Sequence, residues 1–337
     1  MLEGFIIGLA VFLVLCLLIL PFIIFIIFSK KNYGKKADVD YIFNLKDFPD
    51  LDYVRADFKN NLNLTIRAYK FFKKGVTDYK AVILLVPGFK NNHNKYLPEI
   101  EYFTKRNYCV FSFDPCGTGK SQGDNLVGLY QIPYDALYAK KAIQADKSLN
   151  TKPLLLWGYS NGAYAVLSLI DQEVKAVAAL SAFDNVNQMT VDYGVMAFGK
   201  KAKVIYPYSV VYNKCKFGKA PFGSSVKSLK NSNIPVFLAH SIDDEVVPYR
   251  NFEKLKQYNI HPLSINLSLE GRNHWIRYDN RIQRLRDKLE LRLEKAKDNE
   301  RKKIINCYAA VSKKIDYSLV NQVADFYDKV LEKLKDL

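Results

Sequence analysis

The sequence predicts an α/β fold: a mostly parallel central sheet with helices on both faces, a cap insertion, and one N-terminal transmembrane helix. Short apolar runs, such as residues 81–86 and 153–156, alternate with helical patterns, which is typical of β–α units in a parallel sheet. An apolar stretch without charged side chains, residues 5–28, precedes them. Residues 185–231 interrupt the alternation, so we expect an insertion there.

The apolar stretch at residues 5–28 consists almost wholly of Ile, Leu, Val and Phe. It exceeds the ~20 residues that a helix needs to cross a bilayer. A cleaved signal peptide would have basic residues before the apolar run and an Ala-x-Ala site after it, and the sequence has neither. We therefore expect residues 1–29 to be a membrane anchor, in which a kink at Pro21 is tolerated.

The charges beside the anchor predict its orientation. Only Glu3 precedes the apolar stretch, whereas four lysines follow it: Lys30, Lys31, Lys35 and Lys36. Because basic residues favour the cytoplasmic side, the folded domain is expected there. The five cysteines form no spaced pairs that suggest disulfides or a metal site, which agrees with a reducing compartment.

The net charge of +16 raises the question of a nucleic-acid partner. No recognised nucleic-acid-binding module accompanies the charge, so we expect no such partner. On a membrane-tethered chain, the lysines fit an anionic lipid surface better, and a solvated basic face is the alternative.

The rest of the chain divides into a basic linker at residues 30–50 and a folded domain at residues 51–337. Residues 52–58 and 62–71 predict an opening hairpin. The cap, residues 185–231, mixes aromatic residues with lysines, so it is expected to pack around a small core, to line an apolar pocket, or to do both. A helical insertion is predicted at 279–315, as a long exposed helix over 281–303 that turns back. It would contact a partner or the membrane, or simply be solvated.

Candidate catalytic residues begin with Ser160, in the run Gly158-Tyr159-Ser160-Asn161-Gly162 between an apolar strand and a small-residue helix. Gly-x-Ser-x-Gly in this context is a nucleophile elbow, where glycines allow a sharp turn that exposes the serine. The alternative is a serine that only caps the helix.

Two further predicted strands end in polar residues that complete a Ser, Asp, His order. Residues 234–240 lead to Asp243 and Asp244, and residues 263–269 lead to His274. A histidine base activates the serine, and a carboxylate orients the histidine. Asp184 is a third candidate for the acid. Of the other histidines, His240 is expected to be structural, and His93 and His261 carry little signal.

The strand at 81–86 ends in Pro87-Gly88-Phe89, and residues 113–123 form a glycine-rich run, Phe-Asp-Pro-Cys-Gly-Thr-Gly-Lys-Ser-Gln-Gly. The latter lacks a P-loop ending and is interpreted as a loop-shaping element. Together with the Ser, Asp, His order, these motifs resemble the α/β-hydrolase superfamily, particularly its lysophospholipase, monoacylglycerol-lipase and serine-aminopeptidase branch. Departures are Pro87 for histidine and Ser241 for glycine.

The resemblance implies a serine hydrolase whose triad is Ser160, Asp244 and His274, with Asp244 aligned to the family's acid. It also implies an oxyanion hole made by the backbone N–H groups of Phe89 and Asn161. No metal or organic cofactor is needed. The expected substrate is a lipid-like carboxylic ester, such as a lysophospholipid or monoacylglycerol. A thioesterase or amidase acting on acylated proteins, or a non-catalytic membrane scaffold, are the alternatives.

Overall fold

The computed structural model describes residues 2–37 and 41–336 of the 337-residue chain. Residues 38–40 of the predicted linker, residue 1 of the predicted anchor and residue 337 lie outside the described residues. The strands are β1 (Leu51–Arg55), β2 (Phe58–Lys59), β3 (Thr65–Ile66), β4 (Ala68–Lys73), β5 (Ala81–Val86), β6 (Tyr108–Phe113), β7 (Leu154–Tyr159), β8 (Val174–Leu180), β9 (Val236–Ser241) and β10 (Ile265–Leu269).

Helices lie between and after these strands. The α-helices are α1 (Leu2–Tyr33), α2 (Leu97–Lys105), α3 (Gln131–Ala145), α4 (Asn161–Ser168), α5 (Val186–Phe198), α6 (Tyr206–Phe217), α7 (Ser225–Lys230), α8 (Arg250–Lys256), α9 (Asn280–Lys295), α10 (Asp298–Ser312) and α11 (Tyr317–Lys335). Short 3₁₀ helices cover Leu45–Asp47, His93–Tyr96 and Lys200–Ile205.

The main sheet has the strand order β1-β4-β6-β5-β7-β8-β9-β10. Every neighbouring pair from β6 to β10 is parallel, while β4 runs antiparallel to both β1 and β6. The predicted α/β fold with a mostly parallel sheet is confirmed. Because β7, β9 and β10 run in the same direction, the residues that follow them meet at one edge of the sheet.

Each face of the sheet has its own hydrophobic core, because successive strand residues point to opposite faces. In β5, Val82, Leu84 and Val86 pack in one core, together with residues of α3, α4, α7 and α8. Ala81, Ile83 and Leu85 pack in the other core, with α2 and α11. The fully buried, unbroken apolar sequence of β5 follows from this two-sided covering.

The predicted opening hairpin is present but broken into shorter strands. β1 pairs with β4, and the two-residue strands β2 and β3 pair with each other. The break falls at Asp57, whose carboxylate accepts hydrogen bonds from the Arg67 side chain and from the backbone N–H of Ala68. These side-chain interactions replace the ladder that one long strand would form.

Residues 279–315, predicted as a long helix that turns back, contain two helices, and the turn falls earlier than the expected end of the first helix at residue 303. The first helix ends at Lys295 and the second begins at Asp298, with extended backbone at Ala296 and Lys297. The turn brings Ile304 and Tyr308 back into the same core as Leu293. Burial of these side chains decides where the helix breaks, and the local sequence contains no Gly or Pro to mark it.

Residues on both sides of the undescribed segment pack against the domain. Ala37 N–H donates to Gly117 O (2.9 Å), and Leu126 N–H donates to Tyr33 O (2.9 Å). Phe43 N–H donates to Asn94 Oδ1, and the Asn94 amide donates back to Phe43 O (both 2.9 Å). The end of α1 is therefore held against the domain by backbone hydrogen bonds.

Candidate active site

Ser160 lies at a sharp turn between β7 and α4. Its backbone has φ 55° and ψ −119°, a conformation that costs energy for a residue other than glycine and clusters at functional sites. A Cβ on Gly158 would lie 2.2 Å from Gly162 O, and one on Gly162 would lie 2.1 Å from Val86 O. Both glycines are therefore required by close backbone approach, as in a nucleophile elbow.

His274 lies within hydrogen-bonding distance of the serine. Its Nε2 is 3.1 Å from Ser160 Oγ, and the side chains of both residues are buried. A hydrogen bond holds the loop that carries the histidine, because the Tyr159 hydroxyl donates to His274 O (2.6 Å). The arrangement allows the imidazole to take the serine proton.

Asp244 occupies the other side of the imidazole. His274 Nδ1 is 3.0 Å from Oδ1 and 2.9 Å from Oδ2 of this carboxylate. An ionised carboxylate only accepts hydrogen bonds, so Nδ1 carries the proton and Nε2 is left to accept from Ser160. The backbone N–H groups of Val246 (2.9 Å) and Val247 (2.7 Å) also donate to Asp244 Oδ1.

The pKa of the Asp244 carboxyl lies well below its ordinary value of 3.8. Burial alone would raise this pKa, but hydrogen bonds from His240 and His274, and the charges of these rings when protonated, outweigh burial. Asp244 therefore stays ionised at neutral pH, as a residue that orients an imidazole must.

The other two candidate acids lie elsewhere. Asp243 is exposed to solvent beside Ser241. Asp184 forms an ion pair with Lys254 (2.6 Å) and accepts from Val226 N–H (3.0 Å), so it joins the two ends of the cap. Of the three acids, only Asp244 contacts His274 in the described structure.

His240, which the sequence suggested to be structural, also contacts the acid. Its Nε2 is 2.9 Å from Val247 O and 3.3 Å from Asp244 Oδ2, and the ring is fully buried. The Nε2 proton therefore points toward a carbonyl and a carboxylate together. Its position at the end of β9, four residues before Asp244, was the available sequence signal.

Two backbone N–H groups are free to bind an oxyanion. Among the described residues, neither Phe89 N–H nor Asn161 N–H donates to another protein group. The loop of Phe89 is held in place, since Gly88 N–H donates to the Tyr96 hydroxyl (3.0 Å) and Asn91 N–H to Gly88 O (3.2 Å). The sequence predicted these two donors from the loop after β5 and from the elbow.

Comparisons with known proteins agree with this fold. Residues 77–218 match the family model described as serine aminopeptidase, S33. The esterase Pf2001 of Pyrococcus furiosus is 18% identical and superimposes with a TM-score of 0.52 over 75% of this chain and 92% of its own. Est1E of Butyrivibrio proteoclasticus, solved with ferulic acid bound, gives a TM-score of 0.51 at 17% identity, over 71% and 98% of the two chains. These structural likenesses show that the chain has the α/β-hydrolase fold.

Among curated relatives, the protein is 26% identical over 192 residues to YfhR of Escherichia coli O157:H7, which is described as uncharacterized. The match covers 57% of this chain and 62% of YfhR, so it spans about three fifths of that relative's length. The family-model match contains Ser160 but ends before Asp244 and His274. For these two residues, the geometry is the observation that places them at the serine.

A second buried aspartate also binds a histidine Nδ1, and the sequence did not suggest this pair. His93 Nδ1 lies 2.6 Å from Asp114 Oδ1, and both side chains are buried. Asp114 also accepts from the Tyr41 hydroxyl and from Lys120 N–H (2.9 Å). Asp114 belongs to the glycine-rich run at 113–123, which is consistent with the expected loop-shaping role of that run.

In residues 2–37 and 41–336 of the protein, no three His, Cys, Asp or Glu residues are grouped to hold a metal ion. α1 is long and apolar enough to cross a membrane, and its most apolar 18 residues have a mean hydropathy of 3.4. The same composition is found in signal sequences, so helix length and hydropathy alone do not distinguish an anchor.

Proposed function

We propose that this hydrolase is a membrane-anchored serine esterase that cleaves carboxylic esters with apolar acyl chains. The observation that carries the proposal is the hydrogen-bonded series Ser160 Oγ–His274 Nε2 and His274 Nδ1–Asp244, beside two unengaged backbone N–H groups. A serine that only capped α4 would accept from a backbone N–H of the helix, and the Ser160 side chain makes no such bond.

The proposed reaction begins with attack of Ser160 Oγ on the ester carbonyl carbon while His274 Nε2 takes the hydroxyl proton. The carbonyl oxygen becomes an oxyanion, which accepts hydrogen bonds from the N–H groups of Phe89 and Asn161. Asp244 stabilises the imidazolium. When the C–O bond breaks, His274 gives its proton to the departing alcohol oxygen, leaving Ser160 acylated.

Deacylation repeats these steps with water. His274 removes a proton from water, whose oxygen attacks the acyl carbon, and the Ser160 ester breaks as His274 returns the proton to Ser160 Oγ. The products are an alcohol and a carboxylic acid. Removing one oxyanion donor from a site of this kind typically costs about 10²- to 10³-fold in rate.

Labelling with a fluorophosphonate probe tests the proposal. Detergent-solubilised protein should be labelled, and Ser160→Ala should not be. A panel of esters, thioesters and amides then assigns the leaving group, and faster turnover of a thioester would favour the deacylation of proteins. Folded wild-type protein that reacts with neither probe nor substrates would favour the non-catalytic scaffold.

We also propose that α1 anchors the protein in the membrane. The lysines after α1 favour placement of the domain on the cytoplasmic side. Cys215 and Cys307 are exposed on the domain and provide reporters. In sealed, right-side-out vesicles, a membrane-impermeant maleimide should label them only after permeabilisation. Labelling of intact vesicles would place the domain outside, and release of the protein by carbonate washing would argue against an anchor.

A further inference from the structure

The last part of α1 packs against the cap through aromatic side chains. Ring centroids are 5.9 Å apart for Phe22 and Tyr208, 5.4 Å for Phe25 and Tyr212, and 5.9 Å for Phe28 and Phe198. Phe25 is fully buried by this contact, whereas most of α1 is exposed. α1, the proposed membrane anchor, therefore also packs against the cap.

Two apolar cavities lie along this contact. One, of about 400 Å³, is lined by Phe28, Asn32, Tyr33, Phe89, Lys90, Tyr193, Met196 and Ala197. The other, of about 600 Å³, is lined by Ile24, Ile27, Phe28, Lys31, Asn32, Ala197 and Phe198. Phe28, Asn32 and Ala197 line both cavities, so the two cavities adjoin, and we call them together the α1–cap groove.

One end of the groove reaches the proposed oxyanion loop. Phe89, whose N–H is a proposed oxyanion donor, lines the inner cavity, and its ring contacts that of Tyr33 at 5.6 Å between centroids. Tyr33 is tied to the domain through its carbonyl, which accepts from Leu126 N–H. Ser160 itself lines neither cavity, so a ligand in the groove would have one end at Phe89, on the loop of a proposed oxyanion donor.

The other end of the groove lies at the depth of the bilayer. Ile24, Ile27 and Phe28 belong to the apolar stretch 5–28, and the span from Ile24 to Tyr33 measures ~14 Å along the helix. One leaflet contributes about 15 Å of the ~30 Å hydrocarbon core. The cap also exposes apolar side chains: Met196, Phe198, Val204, Tyr206, Val210 and Val211. On a membrane-tethered protein, lipid can cover these side chains.

We infer that the α1–cap groove holds the acyl chain of an ester resident in the bilayer, which reaches Ser160 laterally from the membrane. The inference rests on the proposed function and names the route and the binding site of its substrate. The groove is lined mostly by apolar side chains, and its polar lining residues are Asn32, Lys31 and Lys90, so its chemistry fits a hydrocarbon chain that carries a polar head.

A second large cavity does not compete for the acyl chain. It measures about 580 Å³ and is lined by polar and apolar residues, including His93, Asn94 and Lys120. Phe89 is not among its lining residues. The inner cavity of the α1–cap groove, in contrast, is lined by Phe89 of the proposed oxyanion loop.

Filling the groove tests the inference. Ala197→Trp places a large ring at Ala197, which lines both cavities. The control, Ala145→Trp, places the same ring at an exposed alanine near the end of another helix. In phosphatidylcholine vesicles, Ala197→Trp should lower kcat/KM for p-nitrophenyl palmitate at least about tenfold, the scale of a lost fit in an apolar pocket. Hydrolysis of p-nitrophenyl acetate should stay within about twofold, and Ala145→Trp should change neither rate.

Several outcomes would overturn the inference. Unchanged palmitate hydrolysis in Ala197→Trp, or equal losses for both esters, would show that the groove does not select for the chain. Wild type that cleaves acetate but not palmitate would overturn the groove and leave the serine esterase intact. Wild type that cleaves neither ester and resists fluorophosphonate would remove the proposed function and this inference together.

A tethered probe locates the chain directly. An alkyl fluorophosphonate with a terminal diazirine attaches to Ser160, and illumination then cross-links the end of its chain. Cross-links should fall in residues 24–33 and 193–198. Cross-links confined to the loops around His93 would place the chain in the other cavity and contradict the inference, irrespective of any folding defect in Ala197→Trp.

Discussion

Two buried aspartates among the described residues each bind an imidazole Nδ1, and only one of these two imidazoles also faces a serine hydroxyl. Asp244–His274 and Asp114–His93 both join a carboxylate to an imidazole Nδ1, at 2.9 Å and 2.6 Å. Both carboxylates also accept backbone N–H groups. The pairs differ at Nε2: that of His274 meets Ser160 Oγ, whereas that of His93 makes no hydrogen bond within the described structure.

The surroundings of the two pairs differ as well. The ring of His93 lies among Tyr41, Tyr69 and Phe71, with the Tyr69 ring centroid 4.5 Å away. Asp114 is held by the Tyr41 hydroxyl and thereby joins the segment after α1 to the glycine-rich loop. An oriented imidazole is thus not sufficient for catalysis. The strained elbow that presents a nucleophile makes the difference.

The largest expected effect is on kcat, and it distinguishes His274 from His93. His274→Gln should lower kcat by about 10⁴-fold or more, because the base that activates Ser160 is lost. His93→Gln should leave kcat within about threefold, since His93 touches neither Ser160 nor its proposed oxyanion donors. Ester turnover, normalised to folded protein by circular dichroism, measures both. Comparable losses in the two folded variants would give His93 a part in the reaction.

The two acids provide a second test. Asp244→Asn should reduce kcat about 10⁴-fold, because an amide N–H facing Nδ1 favours the wrong imidazole tautomer. Asp114→Asn should leave kcat within a few fold but lower the free energy of unfolding by about 1–3 kcal/mol, since one hydrogen-bond acceptor is lost in a buried network. Kinetics and urea denaturation distinguish these outcomes. A stable Asp114→Asn protein would show that the second pair does not hold the fold together.

The contrast also explains what the sequence could predict. Each strand, the elbow glycines and the polar residue after each strand can be recognised from a short stretch of sequence. The fold was therefore predictable, and so were Ser160, Asp244 and His274, which the structure brings together. His93 and Asp114 are 21 residues apart and meet only because β5 and β6 are neighbours in the sheet. Their contact, like that of Phe25 with Tyr212, depends on tertiary packing that no local pattern encodes.

The nucleophile elbow and the glycine-rich run at 113–123 should respond differently to an added methyl group. In Gly162→Ala, the Cβ would lie 2.1 Å from the backbone oxygen of Val86, so the elbow must shift and kcat should fall about 100-fold or more. In Gly119→Ala, the Cβ meets the side chains of Asp114 (2.5 Å) and Tyr41 (2.7 Å) at φ +46°. The free energy of unfolding of Gly119→Ala should therefore fall, whereas kcat of the folded protein should stay unchanged.

A glycine without close neighbours serves as the control for this pair. Gly223 has nothing within 4 Å of an added Cβ, so Gly223→Ala should change neither property appreciably. Activity and thermal denaturation are measured on all three variants. Full activity in Gly162→Ala would contradict the close approach at the elbow.

The smallest expected effect comes from Tyr41→Phe, and its sign depends on pH. Burial would raise the pKa of the Asp114 carboxyl, but hydrogen bonds from His93, Tyr41 and Lys120 hold it below the ordinary 3.8. A lowered pKa stabilises the fold above pH 3.8, and this stabilisation is lost as pH falls through the folded-state pKa. Without the Tyr41 hydroxyl, the unfolding free energy should fall by about 1–3 kcal/mol at pH 7.

The difference between wild type and Tyr41→Phe should therefore narrow as the pH falls below 3.8, because Asp114 becomes protonated in both proteins. Urea denaturation from pH 7 downward measures this, with Tyr53→Phe as the control on a neighbouring, exposed ring. In the described structure, the Tyr41 side chain contacts Asp114, Lys120 and His93 and none of the three proposed catalytic residues, so kcat should not change. A constant difference at all pH values would mean that Tyr41 stabilises the fold through its ring rather than through the carboxylate, and the second pair would then be a packing contact instead of a charged one.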